Sequence, residues 1–310
     1  MSLHIHGTVV TQYGVAANNR GETEGNTTTL QKILWHGLNH TTVSAEAIRY
    51  AIRLNWQRRF EDGDASCETN RVWLADKGAA GDFEIKDQAF SADRYIDDDV
   101  LGYMDAKAAK TDNSDQDGEI ATPKRGKAGK APKGTTTARR GPLEVSRAVS
   151  LDPYNGEVTF NAKGGDKGRT SLYATEIHAT RYQYSFTLTP AELKVQERAI
   201  KVVDAVATLH DVGGNHGRFL YDFSPSLVIF RITQDPAPRI LYVAEPDLQG
   251  EVSIDTLLQR VKSGDLSQQE LIVGGEAVKS DEAVALRELG VNVYPGVRKV
   301  FEHVIQQLQG

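Results

Sequence analysis

The sequence is poor in cysteine and in long apolar runs. Cys67 is its one cysteine in 310 residues, which excludes an intrachain disulfide framework and a cysteine-ligated zinc cluster. A chain of this size without disulfides is typical of a reducing compartment. No run approaches the ~20 apolar residues of a membrane-spanning helix, and residues 1–12 lack the basic start and apolar block of a signal peptide. We therefore expect a cytoplasmic protein without a membrane partner.

What is present is sufficient for a sizeable core. Hydrophobic residues make up 39% of the chain and charged residues 25%, as in ordinary globular proteins. The length fits one large domain or two ordinary ones.

Charge is distributed unevenly along the chain. The net charge is −6, yet residues 121–140 carry +7 without an acid. The acids concentrate in residues 61–104, with twelve acids against four bases, and in residues 241–310, with eleven against six. The acidic total therefore hides a basic arm, and such asymmetry matters for partners more than the sum does. The arm consists of Lys124, Arg125, Lys127, Lys130, Lys133, Arg139 and Arg140.

The basic arm and the small polar residues before it cannot bury much apolar surface. Ordering them would cost more conformational entropy than burial returns. Residues 105–140 are therefore predicted to form a flexible basic insertion. A solvated linker is one interpretation, and contact with nucleic-acid phosphates is the other.

Local patterns predict several elements. Residues 3–13 alternate as a half-buried strand, and Ser44 is an N-cap for a helix with Ile48, Ile52, Trp56 and Phe60 on one ridge. Thr189 to Glu192 reads as a capping box with proline at the first helical position. Strands are predicted over 172–188, 226–233 and 240–244, and helices near 254–261, 280–289 and 297–308. This order fits an α+β fold: an RNA-recognition-type (ferredoxin-like) core with large insertions.

Three weaker candidates for chemistry have plain structural alternatives. His4 and His6 share a strand face, where they could bind a metal or lie against a base; a polar strand face is the simpler interpretation. His210 and Asp211 resemble the core pair of metal phosphohydrolases, but a histidine is also favoured at a helix end. Cys67 has no basic neighbour in the sequence to activate its thiol.

Two constellations indicate phosphate binding. The helix start at Ser44, with Arg49 and Arg53 one and two turns further, offers amides and guanidinium groups, and a loop with Asn18, Asn19 and Arg20 could close over the same backbone. The alternative is an amphipathic helix with solvated arginines. The second constellation is a bend that lets a backbone approach closely, formed by Gly213, Gly214, Asn215, His216 and Arg218.

These runs, with Val43–Ser44 before Ala47–Tyr50 and Phe223–Pro225 after the bend, resemble the DevR family. Its members are the repeated backbone subunits of type I-B Cascade complexes in CRISPR systems. The resemblance covers roughly residues 1–60 and 170–235. It implies a non-catalytic subunit, without cofactor or metal, that polymerises along the CRISPR guide RNA and presents it for pairing with target DNA. It also implies a palm, finger and thumb arrangement.

Carried onto this sequence, the resemblance places RNA contacts at the two constellations and, less directly, at the basic arm. Residues 1–104 and 141–240 would form the palm, and residues 241–310 an acidic C-terminal extension. The implied partners are guide RNA, the target DNA strand, further copies head-to-tail, other Cascade subunits, and a recruited nuclease or transposition proteins. Acids between Asp93 and Asp99 could then meet a basic surface on a neighbouring copy.

Two other functions remain open at this point. One is a metal-dependent phosphohydrolase that uses His210 and Asp211. The other is a developmental regulator that binds duplex DNA, for which the helix after Ser44 would have to enter a major groove.

Overall fold

The computed structural model describes residues 2–17, 23–74, 82–106, 136–163, 171–213 and 220–309. The fold is mixed α+β. Its helices are α1 (Ala45–Glu61), α2 (Ile96–Val100), α3 (Arg198–Ala207), α4 (Asp255–Lys262), α5 (Asp281–Glu288) and α6 (Val297–Gln309).

Strands account for most of the remaining regular structure. In chain order they are β1 (His4–Thr11), β2 (Gly14–Ala16), β3 (Thr23–Glu24), β4 (Thr27–Thr28), β5 (Lys32–Trp35), β6 (Leu38–Val43), β7 (Arg71–Leu74), β8 (Asp82–Ile85), β9 (Gly102–Ala106), β10 (Thr136–Arg140), β11 (Leu143–Val145), β12 (Ala148–Ser150), β13 (Val158–Lys163), β14 (Ser171–Glu176), β15 (His178–Thr180), β16 (Tyr182–Leu188), β17 (Pro225–Thr233), β18 (Glu245–Pro246), β19 (Val252–Ser253), β20 (Leu271–Gly275) and β21 (Asn292–Tyr294).

One large sheet organises the molecule. Its strands lie in the order β21-β20-β17-β1-β16-β12-β6-β5, and β11 pairs further along β16. All neighbours are antiparallel except β20 and β21, which are joined through α5 and run parallel. Because β20 pairs with β17 and β21 pairs with β20, residues 241–310 continue the central sheet. Two hairpins, β7–β8 and β9–β10, pair separately from the sheet.

Alternation along the central strand β1 divides the core in two. Ile5 and Val9 face a cluster that includes α1, α3 and α6, and Val10 faces a second cluster with α4 and α5. The prediction that one face of β1 is solvated was wrong. His6 is fully buried, because its Nε2 meets the carbonyl of Asp235 at 3.1 Å in the segment that covers this face.

Most other local predictions are confirmed, and three are wrong. The strand predicted over 172–188 is instead three strands, β14, β15 and β16, in three separate sheets. The helices near 254–261, 280–289 and 297–308 and the strand at 226–233 form as expected. Thr189 begins only a short 3-10 turn, and its hydroxyl bonds His4 instead of capping, so the helix starts at Arg198. Residues 240–244 form no strand. Ile240 and Val243 are instead buried in the second core cluster from an irregular segment.

No helix in the described part of the chain is both long and apolar enough to cross a membrane.

Candidate nucleic-acid interface

Helix α1 provides the first wall of the site, and it begins as its sequence requires. The Oγ of Ser44 accepts a hydrogen bond from the Ala47 amide at 3.2 Å, which satisfies one of the free amides at the helix start. Ile48, Ile52 and Trp56 are fully buried on the inner ridge. The neighbouring ridge, which carries Arg49 and Arg53, therefore faces outward along the helix.

Arg49 ties α1 to the polypeptide on either side of hairpin β9–β10. Its Nη1 donates to the carbonyl of Leu143 at 2.8 Å, and its Nη2 donates to the carbonyl of Leu101 at 2.5 Å. Burial lowers the pKa of Arg49, but an arginine starts from so high a value that it stays charged at neutral pH. Carbonyls do not cancel its charge, so Arg49 keeps a full positive charge at the site.

Arg53 and Arg139 are each held by a buried carboxylate of α2. Arg53 Nε lies 3.1 Å from Asp97 Oδ2, and Arg139 Nη2 lies 2.7 Å from Asp99 Oδ1. The expectation that Asp97 to Asp99 present a surface to a neighbouring copy was wrong. Asp97, Asp98 and Asp99 are only 1%, 2% and 0% exposed, because arginines and backbone amides of this same chain surround them.

Arg49, Arg53 and Arg139 line one open cleft of about 520 Å³ between α1 and hairpin β9–β10. Arg71 at the start of β7 also lines it and makes no ion pair with any described residue. Arg140 pairs with Glu144 at the rim. The cleft is defined by Glu46, Arg49, Tyr50, Arg53, Arg71, Leu101, Gly102, Tyr103, Met104, Arg139, Arg140 and Gly141.

The balance of charge in this arginine cleft is positive. It contains five arginines and one acid, Glu46. Three of the arginines are paired with carboxylates, whereas Arg49 and Arg71 pair with no carboxylate of a described residue. Guanidinium groups present several donors in a fixed plane, which suits the oxygens of phosphate groups.

Two tyrosines that line the cleft, Tyr50 and Tyr103, pack against further aromatic rings. Tyr50 meets Trp73 and Phe83 edge-to-face, with ring centroids 6.1 and 5.7 Å apart. Tyr103 stacks on Phe90 at 4.5 Å. Burial raises the pKa of Tyr50. The positive charge of Arg58 lowers this pKa, and the negative charge of Asp211 raises it. The cleft thus combines cationic groups with ring surfaces, as single-stranded nucleic-acid sites do.

The structure brings together four of the predicted residues: Arg49, Arg53, Arg139 and Arg140. Ser44 lies at the start of the same helix but does not line the cleft. Gly213 has a φ of +86° in the segment after α3, two residues beyond Asp211. The remaining predicted residues lie outside the described ranges: Asn18, Asn19, Arg20, Lys124, Arg125, Lys127, Lys130, Lys133, Gly214, Asn215, His216 and Arg218.

Sequence reasoning missed Arg71, Tyr103 and Met104 as cleft residues, and Asp97 and Asp99 as the groups that hold its arginines. The short run Val72–Leu74, rich in β-branched and aromatic residues, could have indicated a strand with Arg71 at its start. Nothing in three successive acids indicates burial, because such runs are ordinarily solvated.

The other candidates have structural partners. The His4 and His6 rings stack with centroids 5.9 Å apart, and each bonds a threonine; since His6 is buried, it cannot lie against a base. His210 and Asp211 are exposed beyond α3, and among the described residues no group of three or more His, Cys, Asp or Glu is placed to hold a metal. Cys67 is buried next to Asp64; burial of the thiol, and then the negative charge of Asp64, raise the pKa of Cys67.

Comparison with known proteins gives a strong relative. The chain is 45% identical over 314 residues to the CRISPR-associated protein Cas7/Cst2/DevR of Myxococcus xanthus (strain DK1622), a match that covers 96% of this chain and 95% of that protein. No protein-family model matches the chain.

Solved structures show the same fold at low identity. A chain of a CRISPR RNA-guided surveillance complex superposes with a TM-score of 0.53 at 14% identity and covers 99% of both chains. A chain of a CRISPR RNA-guided surveillance complex in a pre-nicking state gives a TM-score of 0.55 at 12% identity, with 99% of this chain and 100% of that chain covered. The likeness therefore spans the whole fold.

Proposed function

The chain belongs to the CRISPR-associated Cas7/Cst2/DevR family, and from this membership we propose that it is a guide-RNA-binding backbone subunit of a type I-B Cascade surveillance complex. Copies polymerise head-to-tail along the guide RNA in the cytoplasm, contact other Cascade subunits, and present the guide for pairing with a target DNA strand. The complex then recruits a nuclease or transposition proteins.

The arginine cleft carries this proposal. A backbone subunit must hold any guide sequence, so its contacts should go to phosphate and sugar rather than to base edges. Arg49 and Arg71 lack carboxylate partners among the described residues, and Arg53 and Arg139 are fixed by Asp97 and Asp99. Sequence is then read by base pairing between guide and target. The same division of labour needs no catalytic group, so we propose a non-catalytic role.

The arrangement of the central sheet supports a modified RNA-recognition palm. Along the chain, β1, α1, β12, β16, α3 and β17 follow the order β-α-β-β-α-β of ferredoxin-like folds. Their strands are neighbours in the order β17-β1-β16-β12, and both helices pack into the same core. We assign residues 1–104 and 141–240 to this palm, 105–140 to a basic thumb or finger insertion, and 241–310 to the acidic extension.

The sheet face opposite these helices is an unsuitable RNA platform. Thr8 donates to the Ile240 carbonyl at 2.6 Å, and Gln183 bonds both the amide and the carbonyl of Ala244. The segment around residues 235–244 therefore covers the face on which RNA-recognition domains stack bases. This favours RNA along α1 and the arginine cleft instead.

The test is whether the purified chain carries RNA. We expect co-purified RNA of one length on a denaturing gel, and binding of single-stranded RNA whose affinity falls with rising salt. Size-exclusion mass measurement with RNA should show assemblies of several copies. A chain that binds duplex DNA and ignores RNA would favour a duplex-DNA-binding regulator and overturn the proposal.

A further inference from the structure

We propose that Asp97 and Asp99 are positioning residues for nucleic-acid binding: through α2 they fix Arg53 on one wall of the arginine cleft and Arg139 on the other. The inference rests on the proposed function, because it names the groups that order the same cleft. Neither aspartate contacts the ligand, since both are buried.

Asp97 is itself rigidly held. Its Oδ1 accepts from the Asn70 amide at 2.7 Å, and its Oδ2 accepts from the Arg71 amide and from Arg53 Nε, each at 3.1 Å. Arg53 contacts Asp97 through Nε alone, and neither terminal nitrogen of Arg53 bonds another described residue. Two donor groups of Arg53 are therefore left to meet a phosphate, in an orientation that Asp97 sets.

Asp99 repeats this arrangement on the opposite wall. Its Oδ1 accepts from Arg139 Nη2 at 2.7 Å and from the Lys194 amide at 2.9 Å. Its Oδ2 accepts from Arg198 Nη1 at 2.9 Å and from the Val195 amide at 3.2 Å. Arg198 is buried and faces the interior. Asp99 thus links the arginine of β10 to the start of α3.

Asp98 provides a matched control on the same helix. Its Oδ2 accepts from Asn70 Nδ2 at 2.9 Å and from the Ser91 amide at 3.0 Å, and it bonds no arginine within the described ranges. Burial raises the pKa of Asp98. Asp98 is as buried as its neighbours, so its loss should reduce stability without moving a cleft guanidinium.

A carboxylate beside a cleft arginine has two opposite effects on RNA affinity. It reduces the positive charge of the cleft, and it holds the arginine in one orientation. If Asp97 only neutralises Arg53, then Asp97→Asn raises the positive potential of the cleft and tightens RNA binding. If Asp97 positions Arg53, loss of the Asp97 carboxylate lets the Arg53 side chain sample many rotamers. Ordering Arg53 again when RNA binds then costs free energy. Positioning therefore predicts weaker binding.

The experiment compares Asp97→Asn, Asp98→Asn and Arg53→Gln, and the double variant Asp97→Asn/Arg53→Gln. Affinity for a labelled single-stranded RNA is measured at fixed salt, and thermal unfolding is followed in parallel. We expect Asp97→Asn to weaken binding about tenfold and Asp98→Asn by less than about twofold. In the Arg53→Gln background, Asp97→Asn should cause no further loss, since it acts through that arginine.

Asp99→Asn is a second variant, measured only at temperatures where it is folded, because it also removes the carboxylate that pairs with the buried Arg198. Unchanged or tighter binding by Asp97→Asn, or a full loss that persists with Arg53→Gln, overturns the inference and leaves the proposed function standing. A wild-type chain that binds no RNA overturns both.

Discussion

The Nε atom of Arg53 lies 3.1 Å from Oδ2 of Asp97, and this ion pair joins the middle of α1 to the start of α2 across 44 residues of sequence. The carboxylate is 1% exposed and the arginine side chain 14%. A pair this buried contributes little net stability by itself, because both charges lose their hydration. Its main consequence is geometric, since it sets where the guanidinium of Arg53 meets the cleft.

Arg71→Gln should weaken RNA binding without loss of stability. The Arg71 side chain lines the cleft and makes no ion pair with a described residue, so its removal leaves no buried charge unpaired. We expect an affinity loss of roughly threefold to tenfold and a salt dependence shallower by about one counterion. Fluorescence anisotropy across a salt series measures both.

Arg298→Gln is the control for Arg71→Gln. Arg298 lies exposed on α6, paired with Glu302, so its substitution removes the same charge from a surface outside the cleft. Equal losses from both variants would indicate attraction to overall charge rather than a site. Arg49→Gln should weaken binding too, but it also removes bonds to Leu101 and Leu143 and will lower the melting temperature.

The C-terminal end of the basic arm is strand β10. Deletion of residues 121–140 would remove β10, and with it the Arg139–Asp99 pair; we expect this variant to be destabilised. Replacing only the five lysines and arginines of residues 124–133 with glutamine should leave the melting temperature unchanged and reduce the salt dependence of RNA binding. An unchanged salt dependence would assign the arm to another role.

Local sequence rules were sufficient where neighbours in sequence decide the structure. Ser44 caps α1, and Ile48, Ile52 and Trp56 form its buried ridge, as their spacing predicts. The rules failed where distant residues decide. Asp97 and Asp99 are buried beside Arg53, Arg139 and Arg198, which reach α2 from other parts of the chain, and Asp98 is buried against Asn70 and the Ser91 amide.

The same reason explains the errors at β1 and α3. Alternation in β1 correctly divides its two faces, but it cannot reveal that residues 235–244 cover the second one. Thr189 has every local feature of a helix cap, yet tertiary contacts hold it: its hydroxyl bonds His4, and Leu193 is drawn into the core before the helix begins. Tertiary context overrides local propensity at both places.

Gly102→Ala should disrupt the hairpin that carries Arg139. Gly102 has a φ of +73°, and an added Cβ would overlap the Arg139 carbonyl and the Gly141 amide. Strain at positive φ together with a backbone clash should reduce the free energy of unfolding by about 1–3 kcal/mol, measurable by denaturant titration. Gly296→Ala is the control, since nothing lies within 4 Å of its added Cβ; equal effects would contradict the explanation.

Stability should fall as the pH is lowered from about 7.5 to about 5.5. Burial lowers the pKa of His6 and of His178 in the folded state. Between the unfolded pKa near 6.5 and the lowered folded values, the unfolded chain binds more protons, so acid favours unfolding. His6→Asn should flatten this pH dependence of the melting temperature, and substitution of the exposed His36 should not. An unchanged slope in His6→Asn would assign the effect to other groups.

Cys67 should be inert in the folded protein and reactive in the unfolded chain. The side chain is fully buried, and burial together with the negative charge of Asp64 raises the pKa of the thiol to about 11. Reaction requires an accessible thiolate. At mildly alkaline pH an aromatic disulfide reagent should therefore modify the native protein about a hundredfold more slowly than the chain in guanidinium. Because Cys67 is the one cysteine in the sequence, the absorbance of the released thiol reports on this site alone. Equal rates in the native and unfolded states would show that residues 65–67 open readily in the folded protein.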